Sequence, residues 1–144
     1  MGKRKNINFI LSLASVLFLY NACSPFSLLE HPPTADKILL AGSVNNLTNG
    51  IGKTTYKIGD ACFLGLTVTD KDMDIKKMVF TSTNGGSITN GPTDFPVESQ
   101  PTETCLIYIP LSIYMAGNWY IYAYVVDKKG NKSNTLMVEA KVIN

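Results

Sequence analysis

From Lys37 onward the apolar residues of this chain recur at every second position, and this spacing constrains the fold more than any other feature. A strand places successive side chains on opposite faces, so a period of two predicts half-buried strands. An amphipathic helix needs a spacing of three to four, and none is indicated here. Clusters of Gly, Asn, Asp and Pro interrupt the pattern about every ten residues, as turns between short strands do.

The pattern predicts about seven strands with no helix between them, which favours an all-β fold, a two-layer antiparallel β-sandwich. The predicted strands are 38–41, 55–58, 61–69, 76–81, 103–109, 117–126 and 135–142. Alternation assigns an inward row to three of them: Cys62, Leu64, Leu66 and Val68; Trp119, Ile121, Ala123 and Val125; Leu136, Val138, Ala140 and Val142. Each large apolar side chain contributes about 1.5–3 kcal/mol on burial, so these rows could hold a small domain together.

Residues 1–22 have the composition of an export signal. Lys3, Arg4 and Lys5 precede an uncharged apolar run over residues 7–19. Such a run rises only about 20 Å as a helix, whereas a bilayer core needs about 30 Å. We therefore expect a signal helix that is removed after export, followed by a linker and the sandwich domain.

The end of this segment reads Leu-Tyr-Asn-Ala-Cys over residues 19–23 and resembles the lipobox of bacterial lipoproteins. The resemblance implies that Cys23 becomes the first mature residue, carries diacylglycerol and anchors the protein to a membrane of the bacterial cell envelope. With Ser24 after the cysteine, the family's sorting rule favours the outer membrane in a host that has two membranes. The alternative is an ordinary secretory signal cut near Ala22, which would release a soluble protein.

Residues 23–36 are rich in proline, and we expect a flexible tether there, with His31 as a solvated linker side chain. Leaving out the three basic residues of the signal reduces 13 basic residues to 10, against 11 acidic ones. The net charge of −1 argues against a nucleic acid as partner, because such partners need a basic patch.

Residues 117–133, which read GNWYIYAYVVDKKGNKS, are similar to the closing hairpin of bacterial immunoglobulin-like domains. Gly59 and Asp60 before the strand at 61–69 resemble the second strand of the same family. The resemblance implies one immunoglobulin-like antiparallel β-sandwich over residues 37–144. Asp127 is expected to accept backbone N–H groups at the turn, where Gly130 and Asn131 tolerate positive φ. Such domains serve as spacers, adhesion modules and carbohydrate-binding units, so the fold alone does not name a function.

Two cysteines remain if Cys23 is lipidated, an even number in an oxidising compartment. Cys62 and Cys105 lie on the strands that the immunoglobulin order places side by side in one sheet. We expect a disulfide between them. The alternative is a pair of buried free thiols.

Asp70, Asp72 and Asp74 place carboxylates at alternate positions of one loop, as a Ca²⁺ site would require. Lys71, Lys76 and Lys77 neutralise this charge, and the alternative is a solvated loop without a metal.

Tyr120, Tyr122 and Tyr124 alternate with the inward row of their strand and are expected to project together from its outer face. Tyrosine suits half-wet binding surfaces, so this row is a candidate platform for an envelope protein or a glycan. The alternative is packing against neighbouring strands.

No set of residues for catalysis is visible in the sequence. The single histidine lies in the tether, and the chain has neither a G-x-S-x-G nor an H-E-x-x-H motif. We therefore expect a non-enzymatic binding or structural module without a cofactor. The alternative is an envelope enzyme or an enzyme inhibitor that uses a loop or a cleft between carboxylates.

Overall fold

Short strands make up most of residues 30–144, the part of the chain that the computed structural model describes. The strands are β1 (Thr34–Ala41), β2 (Thr55–Lys57), β3 (Cys62–Thr69), β4 (Ile75–Asn84), β5 (Ser87–Pro96), β6 (Thr104–Leu111), β7 (Gly117–Asp127) and β8 (Leu136–Ile143). One short helix, α1 (Val44–Thr48), follows β1. The signal and Cys23 lie outside the described residues.

The strands form two sheets, with the order β1-β3-β6 in one and β2-β8-β7-β4-β5 in the other. All pairs are antiparallel except β2 with β8, which run parallel. This arrangement is an immunoglobulin-like β-sandwich, as the sequence predicts.

The core lies between the sheets and consists mainly of the alternating residues of β3 and β7. All eight predicted inward residues of these two strands are buried, and Ala140 and Val142 of β8 join them. Leu136 and Val138 are half-buried against the same core. The indole Nε1 of Trp119 donates to the carbonyl oxygen of Met115 at 2.9 Å, so the largest core ring carries no unsatisfied donor.

The predicted disulfide is wrong, because Cys62 and Cys105 are free thiols. β3 and β6 are neighbours, as expected, but Cys105 pairs with Val68 and Cys62 pairs with Leu111. The cysteines are therefore six positions apart along the strands, or about 20 Å. A disulfide needs Cα atoms within about 7 Å.

The sequence pattern missed β5, which raises the number of strands from the expected seven to eight. β5 contains Gly91 and Pro92, which are both unfavourable in a strand interior, and most of its residues are exposed. It lies at the edge of its sheet, where a proline can direct its nitrogen to solvent. Burial therefore does not impose alternation on this strand.

The first strand begins earlier than predicted, because β1 starts at Thr34 and so includes the last residues of the segment assigned to the tether. The His31 side chain is 41% exposed, as expected, but it contacts the domain. The backbone N–H of His31 donates to Oδ2 of Asp72, and the ring Nδ1 lies 3.3 Å from Oδ1 of the same carboxylate.

Replacement of Trp119 by alanine should lower the free energy of unfolding by about 3–5 kcal/mol, because the ring is 2% exposed at the centre of the core. Urea unfolding measures this loss. Tyr108→Ala removes an exposed ring from the other sheet and should change stability by about 0.5 kcal/mol or less. Equal stability of the two variants would mean that the faces of β7 are assigned the wrong way round.

The two thiols should differ in reactivity in the folded protein. Burial raises the pKa of the Cys62 thiol to about 11. Cys105 is half-buried, and burial followed by the Asp70 carboxylate raises its pKa as well. Alkylation followed by mass spectrometry should modify Cys105 first, and the rate at Cys62 should keep rising up to about pH 11. An unreduced, unfolded sample that takes up no label at these positions would contradict the free thiols.

Candidate functional site

A row of three tyrosines runs along the outer face of β7, the middle strand of the five-stranded sheet. Since Trp119, Ile121, Ala123 and Val125 point into the core, the pleat turns Tyr120, Tyr122 and Tyr124 outward. Tyr122 is 40% exposed, and the two others are half-buried. We call these residues, together with Met137 and Lys132 beside them, the tyrosine face.

The neighbouring strands supply polar groups on both sides of the row. Tyr120 lies between Thr83 of β4 and Glu139 of β8, and Tyr122 lies between Thr81 and Met137. Met137 is 49% exposed, so a large apolar side chain adjoins the most open tyrosine.

A charged side chain, that of Lys132, contacts the row at Tyr124. The Nζ of Lys132 lies 5.5 Å from the centroid of this ring, within the range of a cation–π contact. Val79 of β4 lies opposite Tyr124 and is buried on this outer side. The half-buried ring is therefore held by neighbours and packs as part of the sheet, as the alternative interpretation of the row expects, whereas Tyr122 stays open.

Within residues 30–144 no helix covers this face. The one helix of that range, α1, packs on the outer side of the other sheet, where Leu47 lies over Gly65. A Cβ atom at position 65 would lie 2.9 Å from Cδ2 of Leu47, so any larger residue would displace the Leu47 side chain. One outer face of the sandwich is thus capped, and the other presents its tyrosines.

The chemistry of the tyrosine face is that of a flat, amphipathic platform. Its rings offer apolar surface with hydroxyl groups at the edge, and threonine, glutamate and lysine side chains surround them. Such a surface suits the stacking of a sugar ring or the docking of another protein.

The three predicted metal ligands are not grouped as a metal site would require. Oδ1 of Asp70 accepts the backbone N–H of Asp72 at 3.2 Å, and Oδ2 accepts that of Asp74 at 2.9 Å. Asp70 is buried, so its carboxylate holds the loop between β3 and β4 in shape. Across residues 30–144 no group of three His, Cys, Asp or Glu side chains is placed to bind a metal ion.

The two other carboxylates have different surroundings. Asp72 receives the His31 backbone N–H and the Lys129 ammonium, and these contacts lower its pKa, the His31 bond most. Burial raises the pKa of Asp74, and the carboxylates of Asp127 and Asp70 add to the shift.

The turn after β7 forms as the resemblance implies. Asp127 accepts the backbone N–H of Asn131 at 2.8 Å and the Asn131 side-chain Nδ2 at the same distance. Gly130 has a φ of 94°, whereas Asn131 is not in the left-handed region.

Sequence reasoning missed a cavity of about 260 Å³ between the sheets. Its floor is formed by Trp119 and Ile121 of β7 with Phe80 of β4, and its walls come from β5 and from the segment that follows β6. The cavity depends on how β5 is placed against β6. Since β5 was not predicted, no sequence signal could have located it.

No protein-family model matches the chain, and no curated protein matches it. Several solved structures are similar in part. The PKD domain of an M14-like peptidase from a Thermoplasmatales archaeon is 15% identical, covers 80% of this chain and 99% of its own, and has a TM-score of 0.47. The CARDB domain of a Pyrococcus furiosus protein, in complex with di-metal ions, is 13% identical over 81% of this chain and 97% of its own, with a TM-score of 0.44. A Niemann-Pick type C2 protein from the Japanese carpenter ant is 10% identical over 81% and 96%, with a TM-score of 0.47.

Proposed function

We propose that this protein is a non-enzymatic binding module, held on the bacterial cell envelope by a lipid on Cys23, that recognises an envelope protein or glycan through its tyrosine face. The observation that carries the proposal is the outer surface of β7. There, an open tyrosine and an exposed methionine lie side by side at the centre of a sheet.

The exposure of two large side chains, Tyr122 and Met137, supports the proposal that this face binds a ligand. Tyr122 and Met137 face each other across β7 and β8, so their exposed areas form a single patch. Exposed apolar patches on small domains mark interaction sites more often than isolated exposed residues do. The polar residues around this patch would fix the orientation of a ligand.

Anchoring is proposed from the sequence at residues 1–23. Within residues 30–144 no helix is long and apolar enough to cross a bilayer. Diacylglycerol with a further acyl chain would bind a membrane far more firmly than one chain does, because each buried methylene contributes about 0.8 kcal/mol.

The alternative is an envelope enzyme or an enzyme inhibitor. The end of the sandwich where Asp70, Asp74 and Asp127 meet is the first place to look for a carboxylate pair. The Asp70 and Asp127 carboxylates already accept bonds from their own loops, which favours a structural role for them. Turnover of an envelope substrate by the purified protein would favour the enzyme.

Replacement of Tyr120, Tyr122 and Tyr124 by serine should abolish capture of the envelope ligand while the domain stays folded. Tyr122→Ser alone should weaken capture substantially, at a cost to stability of about 1 kcal/mol or less, since it loses only cross-strand contacts. Pull-down from envelope extract and glycan-array binding measure the two ligand classes.

Ile51→Ser is the control, because it removes an exposed large apolar side chain that lies on neither proposed site and should leave capture unchanged. If the triple variant is folded by circular dichroism and captures the same ligand as well as the native protein does, the tyrosine face is not the site.

Replacement of Cys23 by alanine should prevent incorporation of labelled palmitate and shift the protein out of the detergent phase on partitioning. Ser24→Ala, one residue further along, should keep the label. Unchanged partitioning of Cys23→Ala would refute the lipid anchor and leave the tyrosine face untouched as a proposal.

A further inference from the structure

The open side of β6 differs from the other sheet edges. Edge strands expose unpaired backbone groups, and proteins protect them with charges, prolines, bulges or short length. β2 has three residues, and β5 contains Gly91, Pro92 and Asp94. At the edge of β1 the amide of Asn134 bonds to both backbone groups of Ala35.

β6 carries one such protective residue, Pro110, close to its C-terminal end. Its sequence, TCLIYIPL, is uncharged, and it pairs with β3 in an unbroken register over all eight residues. Among residues 30–144 no strand pairs with its other side.

The direction of the backbone groups on β6 follows from two observations. Residues of an antiparallel strand alternately direct both backbone groups to one neighbour and then to the other. The Glu103 carbonyl accepts from the Asp70 N–H at 2.8 Å, so odd-numbered residues face β3. Pro110 has no N–H and pairs with Phe63, which fits an even-numbered position that faces away. Leu106 and Tyr108 therefore direct their N–H and C=O groups to the open side.

The cavity between the sheets adjoins the end of this edge. Pro110 and Leu111 of β6 form one wall, and Thr93 and Phe95 of β5 form another. A strand paired with β6 would turn the side chains opposite Ile107 and Ile109 inward, between the sheets. The cavity of about 260 Å³ is smaller than most ligand pockets but holds one or two apolar side chains.

We propose that β6 and this cavity form a second binding site, which takes an extended, uncharged polypeptide segment of another protein as an added strand. The backbone of the segment bonds to Leu106 and Tyr108, and its alternate apolar side chains enter the cavity. No charged residue lines the cavity or lies on β6, so a neutral segment matches the site.

A second copy of this chain fits less well. If two β6 strands paired, the inward side chains of each would remain in the core of their own domain, where Ile109 is buried. Neither copy would then fill the cavity of the other. A separate extended segment satisfies both the backbone edge and the cavity.

The test uses the purified protein and the synthetic peptide acetyl-Thr-Leu-Thr-Val-Thr-amide as the probe. Binding should slow hydrogen exchange at the Leu106 and Tyr108 amides by about tenfold or more. The Ile107 amide, which faces β3, should not change. Trp119 lies on the cavity floor and is the only tryptophan of the chain, so its fluorescence should change over the same peptide concentrations.

Two control peptides separate the parts of the site. N-methylation of the threonines blocks the backbone bonds, and lysine in place of Leu and Val blocks entry into the cavity. Each change should abolish the exchange and fluorescence effects. Equal binding of the N-methylated peptide would overturn the added strand, and unchanged exchange at Leu106 and Tyr108 with the unmodified peptide would overturn the site.

Two variants complete the test. Leu106→Pro removes an outward N–H that β3 does not use and should weaken peptide binding about tenfold or more. If this variant does not fold, Thr93→Phe fills the cavity and should have the same effect, whereas Thr135→Phe, away from the cavity, should not.

Without peptide, slowed hydrogen exchange that depends on protein concentration would assign the edge to a second copy and overturn the proposal. The triple tyrosine variant should bind the peptide normally, so the two sites fail independently.

Discussion

The structure depends on the alternation of β7, which has one face buried in the core and one face directed outward. Four alternate residues of β7 are buried against the row from β3: Trp119, Ile121, Ala123 and Val125. The residues between them must therefore point outward. A shift of one position would expose four core residues and bury three tyrosine hydroxyls. The burial that stabilises the sandwich is therefore the same constraint that places the tyrosine face at the centre of the outer surface.

The outer faces of the two sheets differ in what covers them. The three-stranded sheet is capped by α1, whose Leu47 fits over Gly65. The five-stranded sheet keeps its central row of tyrosines open beside Met137. The proposed second site lies elsewhere, at the edge of β6, and uses backbone groups and a cavity without charged residues. The two proposed sites share no residues.

Strong alternation made the core predictable from the sequence. β3, β7 and β8 could be assigned with their inward rows, and the turn residue Asp127 could be given its role. β5 could not be predicted, because Gly91 and Pro92 are tolerated only at an exposed edge, and the position of an edge is a property of the whole sheet.

The lack of a disulfide could not be foreseen either. The disulfide was predicted only because the two cysteines lie on neighbouring strands. The pairing of β3 with β6 sets the register, and this register separates Cys62 from Cys105. The carboxylate spacing of Asp70, Asp72 and Asp74 likewise gave no sign that the Asp70 side chain bonds to its own loop.

The central claim is that the tyrosine face is occupied when the protein lies on the envelope. Hydroxyl-radical footprinting of the protein on intact envelopes and in purified form tests this directly, with two matched methionines. Met137 on the tyrosine face and Met73 in the loop before β4 are 49% and 47% exposed, so both should be oxidised at similar rates in the purified protein. On the envelope, Met137 and Tyr122 should become protected while Met73 remains reactive. Oxidation of Met137 and Tyr122 at the same relative rates in both samples would contradict the account.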